Sequence, residues 1–134
     1  MLRYMLDTNI CIYVLKNRPP EIRELFNLRV EHLCLSPVSV AELLFGAETS
    51  QQPERNLAVV ENFTARLTIP PFDEQAAGHY GNIRADLEAQ GQTISPYDLM
   101  IAGHARSRGL VLVTNNRREF DRVSGLRVEN WLDQ

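Results

Sequence analysis

The strongest constraint on the fold is a run of five residues, Leu110-Val-Leu-Val-Thr114, bounded by Gly109 and by Asn115–Asn116. It is apolar and β-branched without alternation, so the strand it predicts must be covered on both faces. Shorter runs of the same kind occur at Arg3 to Leu6, at "HLCLS" (32–36), at "LTI" (67–69) and near Leu126 to Glu129. Between them lie segments with helical spacing of apolar residues: 9–16, 21–30, 38–48, 53–67, 73–90 and 96–108, with a short helical turn at "RREFD" (117–121). Continuous apolar strands alternating with helices predict an α/β fold with a parallel sheet buried on both sides. In the helix at 21–30, Ile22, Leu25, Phe26 and Leu28 are expected to face inward. The helix at 38–48 is apolar nearly all round and is expected to be buried. In the segment from Pro53, Leu57, Ala58, Val60 and Phe63 share one side.

At 134 residues the chain is expected to form one domain. Cys11 and Cys34 lie in apolar surroundings and form no CxxC, which predicts buried free thiols in a reducing cytoplasm. Asp7 interrupts the only early apolar stretch, so no signal peptide is expected. The longest apolar run, Ile10 to Leu15, falls far short of the roughly 20 residues a membrane helix requires. The net charge of −3 does not advertise nucleic-acid binding, yet 13 of the 14 basic residues are Arg. Six of them fall between Arg106 and Arg127, against Glu119 and Asp121 alone. Such an excess could grip a polyanion through planar bidentate forks, or could simply be a solvated helix face.

In a parallel α/β sheet, ligands bind in the crevice outside the carboxyl ends of the strands. Four acids fall at or near such strand-to-helix junctions. Asp7 closes the first strand; Glu42 follows "SPVSVA"; Asp98 follows "SPY"; and Glu119 follows "VTNNRR". Each can be read as a helix cap. Asp7 or Thr8 could cap the helix behind it, and Ser95-Pro96-Tyr97-Asp98 has the form of a capping box. Ser39 to Glu42 and Asn116 to Glu119 fit the same form. Together they also fit a second reading. Glu42 is followed by Leu43, Leu44 and Phe45, and Asp98 by Leu99, Met100 and Ile101, which places both acids at the edge of core. Carboxylates converging there repel one another unless a divalent cation sits among them, and Mg²⁺ or Mn²⁺ takes oxygen ligands of this kind. His32, His79 and His104 have no zinc-ligand spacing, and GxSxG, GxGxxG and GxxxxGK[ST] are all missing.

The ordered set of "MLDTN", "SVAEL", "PYDLMIA" and "VTNN" followed by "EF" spans nearly the whole chain. With that set the sequence resembles the PIN-domain ribonuclease toxins of VapBC-type toxin–antitoxin pairs. The resemblance implies a three-layer α/β/α sandwich around a parallel sheet of about five strands, and Mg²⁺- or Mn²⁺-dependent endoribonuclease activity. Asp7, Glu42 and Asp98 fall on the family's first three acidic positions. At the fourth, where many relatives carry Asp, this chain has Asn116, and Glu119 is the other candidate to complete the set. The resemblance further implies that the substrate is tRNA, specifically initiator tRNA cut in its anticodon stem-loop. It implies an antitoxin that occupies the catalytic groove, in a hetero-oligomer built on a toxin homodimer. On this reading Asp7, Asp98 and Glu42 hold the metal, and Thr8, Asn9, Ser39 and Thr114 are candidates either to fix carboxylate rotamers or to serve in local capping and turn bonding. Arg117, Arg118 and Arg122 could hold the RNA backbone, and Tyr97 could stack on an unpaired base or serve only in packing. The helix face at 57–67 is a candidate docking or homodimer surface. Two alternatives stay open. A metal-dependent phosphatase could use Asp7, although the residue two places on is Asn9 and Lys16 lies a helix away. A non-catalytic interaction module would use all four acids only as caps.

Overall fold

The computed structural model describes residues 1–133. Four strands form one all-parallel sheet in the order β2-β1-β3-β4. They are β1 (Tyr4–Leu6), β2 (Leu33–Cys34), β3 (Val111–Val113) and β4 (Val128–Glu129). The helices are α1 (Thr8–Lys16), α2 (Pro20–Arg29), α3 (Pro37–Glu48), α4 (Pro53–Thr64), α5 (Glu74–Ala89), α6 (Pro96–Ser107) and α7 (Arg117–Phe120). Among the described residues no helix is long and apolar enough to cross a membrane.

The unbroken apolar runs are explained by what covers the sheet. Successive side chains of a strand point to opposite faces. Tyr4, Leu6 and Val113 accordingly enter one core cluster, with α1 to α4 and Trp131. Met5, Cys34 and Leu112 enter another, with α5, α6 and Phe120. The second cluster depends on a close helix crossing. A Cβ at Gly103 of α6 would stand 2.8 Å from the Tyr80 backbone nitrogen of α5, so only glycine lets these helices meet.

Several expectations need correction. The sheet has four strands and not five, because "LTI" contributes only a single parallel bridge, Cys34 to Thr68. Pro70 and Pro71 follow at once and have no N–H with which to extend a ladder. The last strand is confined to Val128–Glu129, and the helix opening at Pro53 stops at Thr64. Leu28 is 79% exposed, not inward, and Ala58 is exposed. Helix α3 is not buried all round: Ser39, Leu43 and Ala47 are buried, whereas Ala41 and Phe45 face out. Both cysteines are free and buried.

Candidate active site

The site begins with strand register. Leu6 of β1 pairs with Val113 of β3, so the next residue of each strand, Asp7 and Thr114, emerge side by side at the carboxyl edge of the sheet. The Asp7 backbone N–H still donates to the Val113 carbonyl at 3.0 Å. There the chain turns, and Asp7 becomes the N-cap of α1. Its Oδ1 accepts from the Ile10 N–H at 2.8 Å, and its Oδ2 accepts from the Thr114 hydroxyl. Thr114 Oγ1 in turn accepts from the Asn116 N–H at 2.9 Å. The cap and the ligand readings of Asp7 are therefore compatible, since a carboxylate has about four lone-pair sites and these bonds use two.

Asp7 is only 3% exposed. Burial, helped by the charges of Asp98 and Glu42, pushes its carboxyl up from 3.8 to about 6 against the Thr114 and Ile10 hydrogen bonds. Asp98 stands at the third position of α6, behind the Ser95 cap, whose hydroxyl oxygen accepts from the Asp98 N–H at 3.2 Å. Its carboxyl is also raised, first by desolvation and then by the charges of Glu119 and Glu42. The charges of Asp98 and Glu42 thus reach Asp7, and those of Glu119 and Glu42 reach Asp98. Among the described residues none of the ion pairs involves any of them.

Glu42 is half-buried and its Oε1 accepts from the Thr8 hydroxyl at 2.6 Å; Ser39 Oγ lies 3.2 Å from the same hydroxyl. Two proposed capping boxes are absent. Helix α3 is capped by Ser36, which accepts from the Val38 N–H, so Ser39 sits one turn inside. Asn116 occupies the N-cap position of α7 without a side-chain cap bond. Asn9 is exposed.

The basic residues divide. Arg117 and Arg118 are exposed and Arg122 is half-buried, but Arg117 is tied to Asp121 at 3.4 Å. Arg106 is committed internally, to His79, Asn82 and the Ser124 carbonyl, and Arg127 donates to the Gly109 carbonyl. Part of the predicted anion-binding excess therefore braces the fold. His104 is fully buried beside Ser36, with Nδ1 and Oγ 2.9 Å apart, and is a packing residue.

Sequence reasoning missed two features of this region. Asn115 donates through Nδ2 to the Tyr13 hydroxyl at 3.1 Å, tying the loop after β3 to α1 across 102 positions. A groove of about 520 Å³ runs beside Glu42, lined by Val38, Ala41, Phe45, Tyr97 and Met100. Phe45 is 69% exposed and Tyr97 57%. The only sequence signal for the groove was the excess of apolar residues round α3.

The donor set fits a hard divalent cation. It offers carboxylate oxygens with surplus negative charge. The nearby Cys11 thiol is held protonated by burial and by Asp7, so it supplies no soft thiolate ligand. Among the described residues no three acidic, His or Cys side chains form a ready-made cage. An ion that keeps several of its waters does not require one.

A buried carboxylate at the mouth of a parallel sheet, within reach of the charges of other acids and with no ion-pair partner among the described residues, is the kind of site that metal-assisted phosphodiesterases use. The PIN domain model matches residues 4–126. The chain is 58% identical over 131 residues to tRNA(fMet)-specific endonuclease VapC of Shigella flexneri, covering 98% of this chain and 99% of that protein. It is 56% identical over 132 residues to ribonuclease VapC of Haemophilus influenzae, covering 98% of this chain and 100% of that protein. The crystal structure of DNA-bound VapBC from Salmonella typhimurium superposes with a TM-score of 0.94 at 57% identity, over 98% of this chain and 99% of that one. The chain belongs to the VapC ribonucleases of the PIN-domain family.

Proposed function

We propose that this chain is a Mg²⁺- or Mn²⁺-dependent endoribonuclease toxin that hydrolyses tRNA. The substrate is initiator tRNA, cut in its anticodon stem-loop, and the enzyme acts in the cytoplasm. The reading is supported by Asp7, whose carboxyl is raised by burial at the carboxyl edge of the sheet and further by the charges of Asp98 and Glu42, with Glu119 in turn acting on Asp98. The substrate class is supported by the Shigella flexneri relative, named for tRNA(fMet).

Asp7 and Asp98 would hold the ion, with Glu42 completing the set. Glu119, whose charge reaches Asp98, or the amide oxygen of Asn116 would fill the fourth position. When bound, the ion activates water as the nucleophile and neutralises charge building on the scissile phosphate. The chain's own part is to hold the acids rigid: the Ile10 N–H and the Thr114 hydroxyl fix both oxygens of Asp7. Arg118 and Arg122 hold the RNA backbone, Arg117 joins them on leaving Asp121, and Tyr97 stacks on an unpaired base.

A free ribonuclease of tRNA would damage its own cell. The Salmonella typhimurium structure is a VapBC complex, and a VapB-type antitoxin is the partner proposed here. Its seat is the apolar groove between α3 and α6, which reaches Glu42 and whose rim exposes Phe45 and Tyr97. The working assembly is a toxin homodimer within a toxin–antitoxin hetero-oligomer.

The test is incubation of the purified protein with total tRNA and Mg²⁺, followed by sequencing of new ends. The expected result is one cut in initiator tRNA leaving 5′-phosphate and 3′-hydroxyl ends, lost in Asp7→Asn and in chelator. A cyclic phosphate product, or undiminished cleavage in chelator, would overturn the reading.

A further inference from the structure

Two hydroxyls, Ser39 and Thr8, stand in line behind Glu42. Thr8 Oγ1 lies 2.6 Å from Glu42 Oε1 and 3.2 Å from Ser39 Oγ. A threonine hydroxyl has one proton, and a carboxylate has none to give. At the shorter distance the Thr8 proton goes to Glu42, because a charge-assisted bond is the stronger of the two. Thr8 oxygen is then left to accept, and Ser39 must donate to it. Ser39 is fully buried in α3 and has no other hydrogen-bond partner among the described residues. The order Ser39 to Thr8 to Glu42 gives each hydroxyl proton an acceptor.

The same construction holds the neighbouring acid. Thr114 donates to Asp7 Oδ2 while its oxygen accepts from the Asn116 N–H at 2.9 Å. In each case a threonine next to a strand end gives its only proton to a carboxylate and takes a proton from behind. The two differ in their source. Behind Thr114 is a backbone N–H that no substitution except proline removes, whereas behind Thr8 is a side chain.

We infer that Thr8 is a positioning residue, backed by Ser39, which engages Oε1 of Glu42 and leaves Oε2 as the oxygen turned to the cation and the substrate phosphate. The inference rests on the metal-dependent nuclease reading above. It assigns Thr8 a role in aiming Glu42 and not in capping α1, whose cap is Asp7.

The test compares Thr8→Val, Thr8→Ser and Ser39→Ala with the unaltered protein by Mn²⁺ titration under electron paramagnetic resonance and by initiator tRNA cleavage. Thermal melts verify folding. Outer-shell partners of metal ligands typically carry about 10- to 100-fold in affinity or activity. Thr8→Val should weaken Mn²⁺ binding and lower kcat by about tenfold or more, with the KM for RNA within about twofold of the original. Thr8→Ser, which keeps the proton, should restore both to within about threefold. Ser39→Ala should give a smaller loss of the same kind and add nothing in the Thr8→Val background, because the relay is already broken. Should Thr8→Val unfold, Ser39→Ala carries the comparison. Unchanged Mn²⁺ affinity and kcat in folded Thr8→Val, failure of Thr8→Ser to rescue, or additive losses would each overturn the inference. A different result, no cleavage and no Mn²⁺ binding by the unaltered protein, would strike the nuclease reading itself.

Discussion

Replacing Asp7 by asparagine should make the folded protein more stable at neutral pH while abolishing cleavage of RNA. The carboxyl is almost fully buried and its value rises from 3.8 to about 6. A raised carboxyl favours the folded state when protonated. That contribution is complete below about pH 4, where Asp7 is neutral in both states, and is lost as pH rises through about 6. At about 1.4 kcal/mol per unit, holding Asp7 ionised in the fold costs about 3 kcal/mol at pH 7.5. Asparagine removes the charge and keeps the shape, but it also loses something. Two donors, the Ile10 N–H and the Thr114 hydroxyl, now face one amide oxygen and one NH₂ group, so a hydrogen bond worth about 1 kcal/mol is disturbed. The net expectation is a gain of about 1–2 kcal/mol at pH 7.5, shrinking towards zero or a small loss at pH 4. Urea unfolding of both proteins from pH 4 to pH 8, in chelator, measures it. A difference that does not change with pH, or an Asp7→Asn protein less stable at pH 7.5, would refute the claim that the site holds a destabilising charge.

Further tests follow from the same geometry. Thr114→Val removes the hydrogen bond that opposes the rise of the Asp7 carboxyl, so the acid limb of the pH–rate profile should move to higher pH, with activity down by about tenfold or more. Gly103→Ala places a Cβ 2.8 Å from backbone of α5 and should cost about 1–3 kcal/mol in urea unfolding. Phe45→Ala removes an exposed ring and should leave the melting temperature within about 2 °C, since surface changes seldom exceed about 0.5 kcal/mol. The same variant should bind a VapB-type antitoxin at least about tenfold more weakly by calorimetry.

Residues that carry their own physical signal were legible in the sequence. The run at 110–114 announced a strand covered on both faces, because it has no polar alternation and is closed by Gly109. Asp7 was conspicuous as a charge at the end of an apolar run, and Ser95-Pro96 correctly marked the start of α6. Ser36-Pro37 carries the same signature, and placing the cap of α3 at Ser39 overlooked it. "LTI" misled because three apolar-compatible residues satisfy strand propensity, whereas the prolines behind them deny the ladder its donors. What could not be read were the contacts created by strand order. Thr114 meets Asp7 across 107 positions because β1 and β3 are neighbours in the sheet. Likewise the outward face of α3 depends on which side of that helix α1, α4 and α6 happen to cover.

The central claim is that oxygens from separate segments share one divalent cation. Anomalous diffraction from crystals grown with Mn²⁺ tests it most directly. One strong peak touching the Asp7 and Asp98 carboxylates, missing from Asp7→Asn crystals, is the expected result. Mn²⁺ bound away from both residues, or no bound Mn²⁺ in a protein that still cuts RNA, would contradict it.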